Sequence, residues 1–208
     1  MKKIIFFGWL VVLLPTMICA QEKVGAPVWN VGDKWLFNRE GPMEVTGIEK
    51  NGYVVKFSGG IFLKSLIGTA IFDKSTFKII YLLKDNKPSK YTGPRKAILN
   101  FPLTSGKKWK DWYPREAMGW KLSFSEEFLV MGWENVGVRA GKFKTAKLEY
   151  KLELSYHPTG HLVGPRGKVW YWYSPEVKNF VKCQHEKGYT EGGDEREDWE
   201  LNSFQLKK

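Results

Sequence analysis

The sequence predicts a mainly β protein: one strongly curved antiparallel meander sheet, an open half-barrel or a barrel, with few short helices. Apolar and polar residues alternate over Lys144–Tyr156 and over Trp120–Val130, the period of a strand with one wet and one dry face. Turn-forming residues recur at short intervals, so consecutive strands should pair antiparallel. Helical periodicity is hard to find, and Ile61–Leu66 is long enough for only a single turn. Such a sheet must curl to bury its dry face.

The expected strands are short and follow one another closely. Asn51-Gly52 is a strong signal for a two-residue hairpin. Segment Lys84–Gly119 is the weakest for structure because it contains four prolines, and it is expected to be a long excursion with one or two short strands. In chain order the predicted strands are Lys34–Arg39, Met43–Glu49, Tyr53–Ser58, Leu66–Phe72, Phe77–Leu83, Ile98–Asn100, Lys108–Tyr113, Trp120–Trp133, Val136–Arg139, Lys142–Tyr156, Lys168–Tyr173, Phe180–His185 and Trp199–Leu206.

The first twenty residues have the layout of a bacterial secretory signal. Lys2 and Lys3 precede an apolar run that is too short to cross a bilayer. We expect cleavage after Ala20, which leaves residues 21–208 as a single exported β-domain in the periplasm or outside the cell. Lipidation of Cys19 is the less favoured alternative, because Ile18 precedes it where a lipobox has a small residue.

Motifs typical of catalytic or metal-binding sites are scarce. The sequence has no nucleophile elbow, no His-Glu-x-x-His and no phosphate loop, so we expect neither an enzyme nor a cofactor. His157 and His161 lie in a predicted turn, and Cys183 and His185 share a strand face, but spacing implies no third ligand and hence no metal site. Cys183 is interpreted as a buried core residue rather than a nucleophile.

Charge is unevenly distributed. Segment 84–121 has ten basic and three acidic residues, whereas Glu186–Glu200 has seven acidic and two basic residues. Because the chain is expected to be exported, a nucleic-acid partner is not expected, and an anionic envelope component is a better candidate for the basic segment. The alternative is a solvated basic face balanced by the acidic segment.

Aromatic residues supply the candidate binding sites. Val169–Tyr173 should place aromatic rings on both faces of a strand, so that either the chain covers the outer face or a ligand stacks there. The candidate lining of an apolar cleft comprises Trp120, Phe124, Tyr150, Leu152, Trp170 and Trp172. The candidate surface-interaction residues, which mix rings with cations, are Lys107, Lys108, Trp109, Lys110, Trp112 and Arg115.

Four motifs occur in series: Val31–Trp35, Phe101–Leu103 with Gly106–Trp109, Arg139–Tyr150 and Trp172–Lys182. Their order and spacing span nearly the whole chain after Ala20 and resemble the uncharacterised exported bacterial β-domains of the TapB-like type. That family is similar in outline to the LolA/LolB-type lipoprotein carriers, whose curved open sheet holds acyl chains. The resemblance implies a β-domain of this shape and carries over no catalytic residue.

Two functions follow as hypotheses. The first is a periplasmic, monomeric binding domain that holds a lipid or another apolar small molecule in the curled sheet. The second is an envelope interaction or assembly protein that uses the basic aromatic segment 84–121.

Overall fold

The structure is a computed structural model that describes residues 22–39, 41–58, 67–84, 87–90, 99–117, 120–156, 167–191, 194–195 and 197–208. The expectations for the signal segment, its cleavage, Cys19, Ile61–Leu66, His157 and His161 lie outside these residues. The strands, in chain order, are β1 (Lys23–Val24), β2 (Lys34–Phe37), β3 (Gly41–Ile48), β4 (Gly52–Ser58), β5 (Ile67–Asp73), β6 (Ile79–Lys84), β7 (Lys87–Lys90), β8 (Leu103–Thr104), β9 (Lys108–Ala117), β10 (Trp120–Val138), β11 (Gly141–Tyr156), β12 (Val169–Ser174), β13 (Asn179–His185), β14 (Thr190–Glu191), β15 (Asp194–Glu195) and β16 (Trp199–Gln205).

Twelve of these strands form one antiparallel sheet in the order β7-β6-β5-β4-β3-β2-β16-β13-β12-β11-β10-β9. β7 and β9 lie at its two edges and do not pair with each other, so the sheet is open rather than a closed barrel. β1 pairs with β8, and β14 pairs with β15, in two small separate sheets. The predicted mainly β, curved antiparallel fold is therefore confirmed, with the half-barrel form of the two alternatives.

No helix occurs among the described residues. It follows that none of them forms a helix long and apolar enough to span a membrane.

Several predicted strand boundaries are wrong. The two strands expected at Trp120–Trp133 and Val136–Arg139 form one strand, β10, because Glu134 and Asn135 continue the pairing with β11, and a bulge between Val130 and Gly132 shifts the register without ending the strand. Gly132 has φ +155°, which an L side chain rarely adopts. Leu99 and Asn100 are not in a strand.

The described part of segment Lys84–Gly119 contains more strand than its prolines predict. It contains the whole of β9, ten residues long, as well as β7 and β8. Pro114 fits within β9 because this strand is at the edge of the sheet, where a missing N–H need not break a ladder.

Described residues on the concave face of the sheet form an aromatic core. Ring contacts follow one another across neighbouring strands, from Trp109 to Phe128 (5.1 Å), Tyr150 (5.0 Å), Tyr171 (6.2 Å) and Trp199 (6.4 Å). Offset and edge-on ring pairs at these separations are favourable beyond the area that they bury.

The chain itself fills part of the concave side. Trp29, which precedes β2, contacts Trp35, Tyr53 and Phe77 at ring separations of 4.8–5.3 Å. Phe101 continues this contact chain from Phe77 (5.7 Å) to Tyr173 (5.5 Å). Loop residues rather than a helix thus cover this part of the curved sheet.

Hydrogen bonds of buried polar groups join the segment around Trp29 to the sheet. The indole N–H groups of Trp29 and Trp35 donate to the carbonyls of Lys178 (2.9 Å) and Val177 (2.8 Å) in the turn after β12. The fully buried Asp33 accepts from the backbone N–H of Asn30 (2.9 Å) and from that of Lys207 (2.6 Å). Turn, entry segment and C-terminus are therefore held together at one end of the sheet.

Candidate functional site

Edge strand β9 separates the candidate surface residues onto two faces. Successive side chains of a strand point to opposite sides. Trp109 turns inward and stacks on Phe128 with an interplanar angle of 10°, and Asp111 shares that face. Lys108, Lys110 and Trp112 share the outward face, where Trp112 is 62% exposed. We call these three residues the basic aromatic face.

A hollow of about 240 Å³ adjoins the basic aromatic face on the outer surface of β9, β10 and β11. Its charged lining consists of Lys108, Lys110 and Lys151 together with Glu127 and Glu149. Register explains the arrangement, because Lys110 lies opposite Glu127 and Glu127 lies opposite Lys151. The face therefore combines an exposed indole with an excess of ammonium groups.

Ion pairs neutralise part of this surface. Lys110 contacts Glu127, whose hydrogen bond and charge raise the pKa of Lys110, while the hydrogen bond from Lys110 lowers the pKa of Glu127. Burial opposes ionisation of Glu149, but Lys168 at 3.0 Å, together with Lys151, holds its pKa below the usual range. In the described part of the chain no carboxylate lies within ion-pair distance of Lys108.

Lys107 and Arg115 complete the predicted surface set. Lys107 donates to the carbonyls of Asn100 (2.5 Å) and Pro102 (2.9 Å), and burial lowers its pKa. It therefore fastens the loop before β8. Arg115 lies in β9, but its side chain is outside what the structure describes.

The candidate cleft residues divide between the two faces of the sheet. Tyr150 and Leu152 are buried on the concave face, and Phe124 is half-buried there, directly opposite Leu154. Trp170 lies opposite Glu149 on the convex face. Trp120 begins β10, and its side chain is outside the described part. The residues therefore do not line one common surface.

Trp172 is covered by the chain itself on the convex face. It is only 4% exposed, with the ammonium groups of Lys147 and Lys182 at 5.0 and 4.9 Å from its ring centroid. Its indole N–H donates to Glu134 at 2.5 Å. Of the two alternatives that the sequence left open at Val169–Tyr173, intramolecular cover therefore holds at Trp172.

A buried carboxylate lies among apolar residues on the concave face of β10. Glu126 interrupts an apolar face of β10, and the structure buries it completely. The hydroxyl of Tyr150 donates to its Oε1 at 2.9 Å. Asp111 of β9 lies directly opposite Glu126 and pairs with Lys78 from the β5–β6 turn. Sequence reasoning missed this cluster because nothing in the sequence indicates that Lys78 reaches β9.

Metal-ligating residues do not cluster in the described part of the chain, where no group of three or more His, Cys, Asp or Glu could hold a metal ion.

Comparison with known proteins assigns no family: no protein-family model matches the chain, and no curated protein matches it. Among solved structures, the chain is similar to a candidate lipoprotein of Parabacteroides distasonis at 16% identity, over 89% of this chain and 100% of that one, with a TM-score of 0.43. It is also similar to the hypothetical lipoprotein YmcC of Escherichia coli (K12) at 10% identity, over 89% and 90% of the two chains, with a TM-score of 0.41.

A third similar structure is a candidate exported protein with a YmcC-like fold from Bacteroides fragilis, at 14% identity over 88% of this chain and 99% of that one, with a TM-score of 0.41. All three are thus described as lipoproteins or exported proteins. The resemblance to TapB-like domains and Lol-type carriers stays a prediction.

Proposed function

We propose that this protein is a non-enzymatic envelope protein that attaches to an anionic lipid surface through the basic aromatic face of β9. One observation carries the proposal: Trp112 is 62% exposed on the same outward face as the exposed Lys108 and Lys110. An indole suits the boundary between lipid headgroups and acyl chains, and neighbouring ammonium groups suit anionic headgroups.

The position of the face on an edge strand supports this function. Among the described strands, β9 is the last of the sheet, so a flat membrane can approach its outward side without meeting another of them. Each lysine near an anionic surface contributes about 1 kcal/mol, and the net charge of +9 that remains when Lys2 and Lys3 are removed from the +11 of the full sequence adds long-range attraction. Such binding is reversible and weakens as salt screens the charges.

Vesicle co-sedimentation of the purified protein tests the proposal. We expect binding to vesicles that contain phosphatidylglycerol and not to vesicles of phosphatidylcholine alone. Replacing Lys108 and Lys110 by Gln should weaken binding about tenfold or more. Trp112→Ala should also weaken it, because the inserted ring is lost.

The matched control is Lys56→Gln with Lys142→Gln, which changes net charge equally at two exposed positions on other strands. Equal binding by the two double variants would show that net charge, not this face, governs attachment. No binding to phosphatidylglycerol vesicles would exclude the function.

Location outside the cytoplasm belongs to the same proposal. Cleavage after Ala20 would release the chain from residue 21 onward without a lipid on Cys19. Intact mass of the protein purified from its native envelope distinguishes this product from one that carries a diacylglycerol adduct on Cys19.

A second candidate is the binding of an apolar ligand on the concave face of β10 and β11. Among the described residues, β12 pairs with β11 only from Ala146 to Tyr150, so the β10–β11 hairpin extends past the described part of β12 as far as Tyr156. The half-buried Phe124 lies on this extension. Native mass spectrometry should show a co-purified lipid that Phe124→Asp removes, and its absence, together with no binding of an apolar fluorescent probe, counts against this candidate.

A further inference from the structure

Three side chains near the end of β13 form a thiol–imidazole–carboxylate series. The Sγ of Cys183 lies 4.0 Å from Nε2 of His185, two residues along the same strand face. Nδ1 of that ring lies 3.2 Å from Oδ1 of Asp198, which comes from the segment before β16. The same carboxylate oxygen accepts the backbone N–H of His185 at 2.7 Å. Two independent segments of the chain thus fix the imidazole.

The carboxylate sets the tautomer of the ring. A carboxylate only accepts hydrogen bonds, so Nδ1 carries the hydrogen that points to Asp198, and Nε2 of the neutral ring faces the thiol as an acceptor. A nucleophile beside a base that a third group orients is the arrangement that activates thiols.

Aromatic residues border the series. The Tyr189 ring lies 5.1 Å from the His185 ring, and Tyr171 and Trp199 lie opposite Cys183 in the register. Glu186 is the nearest further carboxylate along the chain, and its Oε2 accepts the backbone N–H of Lys168 at 2.9 Å. Cys183 is 1% exposed, while 11% of the His185 side chain reaches solvent, so the series meets solvent at its histidine end.

We propose that Cys183 is a His185-activated thiol that undergoes thiol–disulfide exchange with small disulfides. The thiol proton moves to Nε2 of His185, and the thiolate attacks one sulfur of R–S–S–R. The Cys183–S–S–R bond forms as the S–S bond of the reagent breaks, and RS⁻ leaves and takes up a proton. The disulfide is the oxidant, so no other co-reactant is required. Asp198 is a positioning residue in this step.

The test is the rate of mixed-disulfide formation with 2-hydroxyethyl disulfide, followed by intact mass from pH 5 to 9. An ordinary thiol has a pKa near 8.5, so its rate falls about tenfold for each pH unit below that value. We expect the native protein to react at a nearly constant rate between about pH 6 and 8. The rate of His185→Gln should instead fall with pH as it does for an ordinary thiol. At pH 6 the native protein should react about tenfold faster than this variant, because the greater thiolate fraction outweighs its lower nucleophilicity.

Two further variants separate the roles. Cys183→Ser should abolish the mass change, which assigns it to this thiol. Asp198→Ala should move the pH profile toward that of the ordinary thiol without changing the urea midpoint by much, because Asp198 is half-exposed. The proposal is overturned if His185→Gln reacts with the native rate and profile, or if the native protein reacts only at its rate of global unfolding.

Discussion

The ammonium group of Lys78 lies 2.8 Å from Oδ2 of Asp111, and this ion pair joins the two ends of the open sheet. Lys78 immediately precedes β6, the second strand from one edge, whereas Asp111 belongs to β9 at the other edge. The curved sheet is therefore closed here by two side chains and not by backbone pairing. Both side chains are partly buried, so the pair is less screened than one on the open surface.

Removing the ion pair between Lys78 and Asp111 should destabilise the protein without unfolding it. We expect Lys78→Ala to lower the free energy of unfolding by about 1–2 kcal/mol, because Asp111 stays partly buried without its partner. Urea unfolding of Lys78→Ala, Asp111→Ala and the double variant measures the coupling. Strictly additive effects would show that the two residues do not stabilise each other.

The alternation of residues predicted the strands because a half-buried strand must place its apolar residues on one face. This reasoning succeeded for Lys144–Tyr156, which is the core of β11, and for the aromatic concave face. It could not place the candidate cleft residues, since the pattern cannot reveal that Trp172 is covered by Lys147 and Lys182 from neighbouring strands. Long-range side-chain contacts such as Lys78 to Asp111 are likewise absent from any local pattern.

The hairpin predicted from Asn51-Gly52 is present, but Gly52 is required there for a reason other than turn geometry. Glu49 and Gly52 exchange backbone hydrogen bonds of 2.8 and 3.4 Å, so Lys50 and Asn51 are the central turn residues and Gly52 opens β4. Glycine is needed for space, because a Cβ at position 52 would lie 2.5 Å from Cγ2 of the buried Ile71 and 3.1 Å from the carbonyl oxygen of Phe72.

Gly52→Ala should therefore destabilise the fold by about 1–3 kcal/mol through overpacking. Gly137→Ala is the matched control, since Gly137 also lies in a strand and a Cβ there would meet nothing within 4 Å. Thermal unfolding of the two variants compares them directly. Equal shifts in melting temperature would contradict a steric role for Gly52.

The hydrogen bond between Tyr150 and Glu126 predicts a contrast between two buried tyrosines. Tyr150→Phe leaves the fully buried Glu126 without the hydroxyl donor at 2.9 Å, which should cost about 1–3 kcal/mol. Among the described residues the Tyr173 hydroxyl has no hydrogen-bond partner, and burial raises its pKa. Tyr173→Phe should therefore be neutral or stabilising. Urea unfolding checks both variants, and a larger loss for Tyr173→Phe would reverse this interpretation of the core.

Asp73 predicts a pH dependence of stability in the β5–β6 turn. Its Oδ1 accepts from the backbone N–H groups of Ser75 (2.9 Å) and Thr76 (2.8 Å), and also from both hydroxyls. Burial opposes the charge, but these hydrogen bonds prevail and lower the pKa of Asp73. Since the folded-state pKa is below the unfolded one, the ionised carboxylate stabilises the fold above the unfolded pKa and loses that effect as pH falls through the folded pKa.

Asp73→Asn removes the titration and keeps an acceptor in the turn. We expect the native protein to be more stable than this variant at neutral pH, and the difference to shrink as pH falls from about 5 to 2. Urea unfolding at a series of pH values measures it, with Glu176→Gln as the comparison because Glu176 is exposed and lies outside this turn. A difference that stays constant down to about pH 2 would mean that the turn holds the protonated acid as well as the carboxylate, contrary to the donor set around Oδ1.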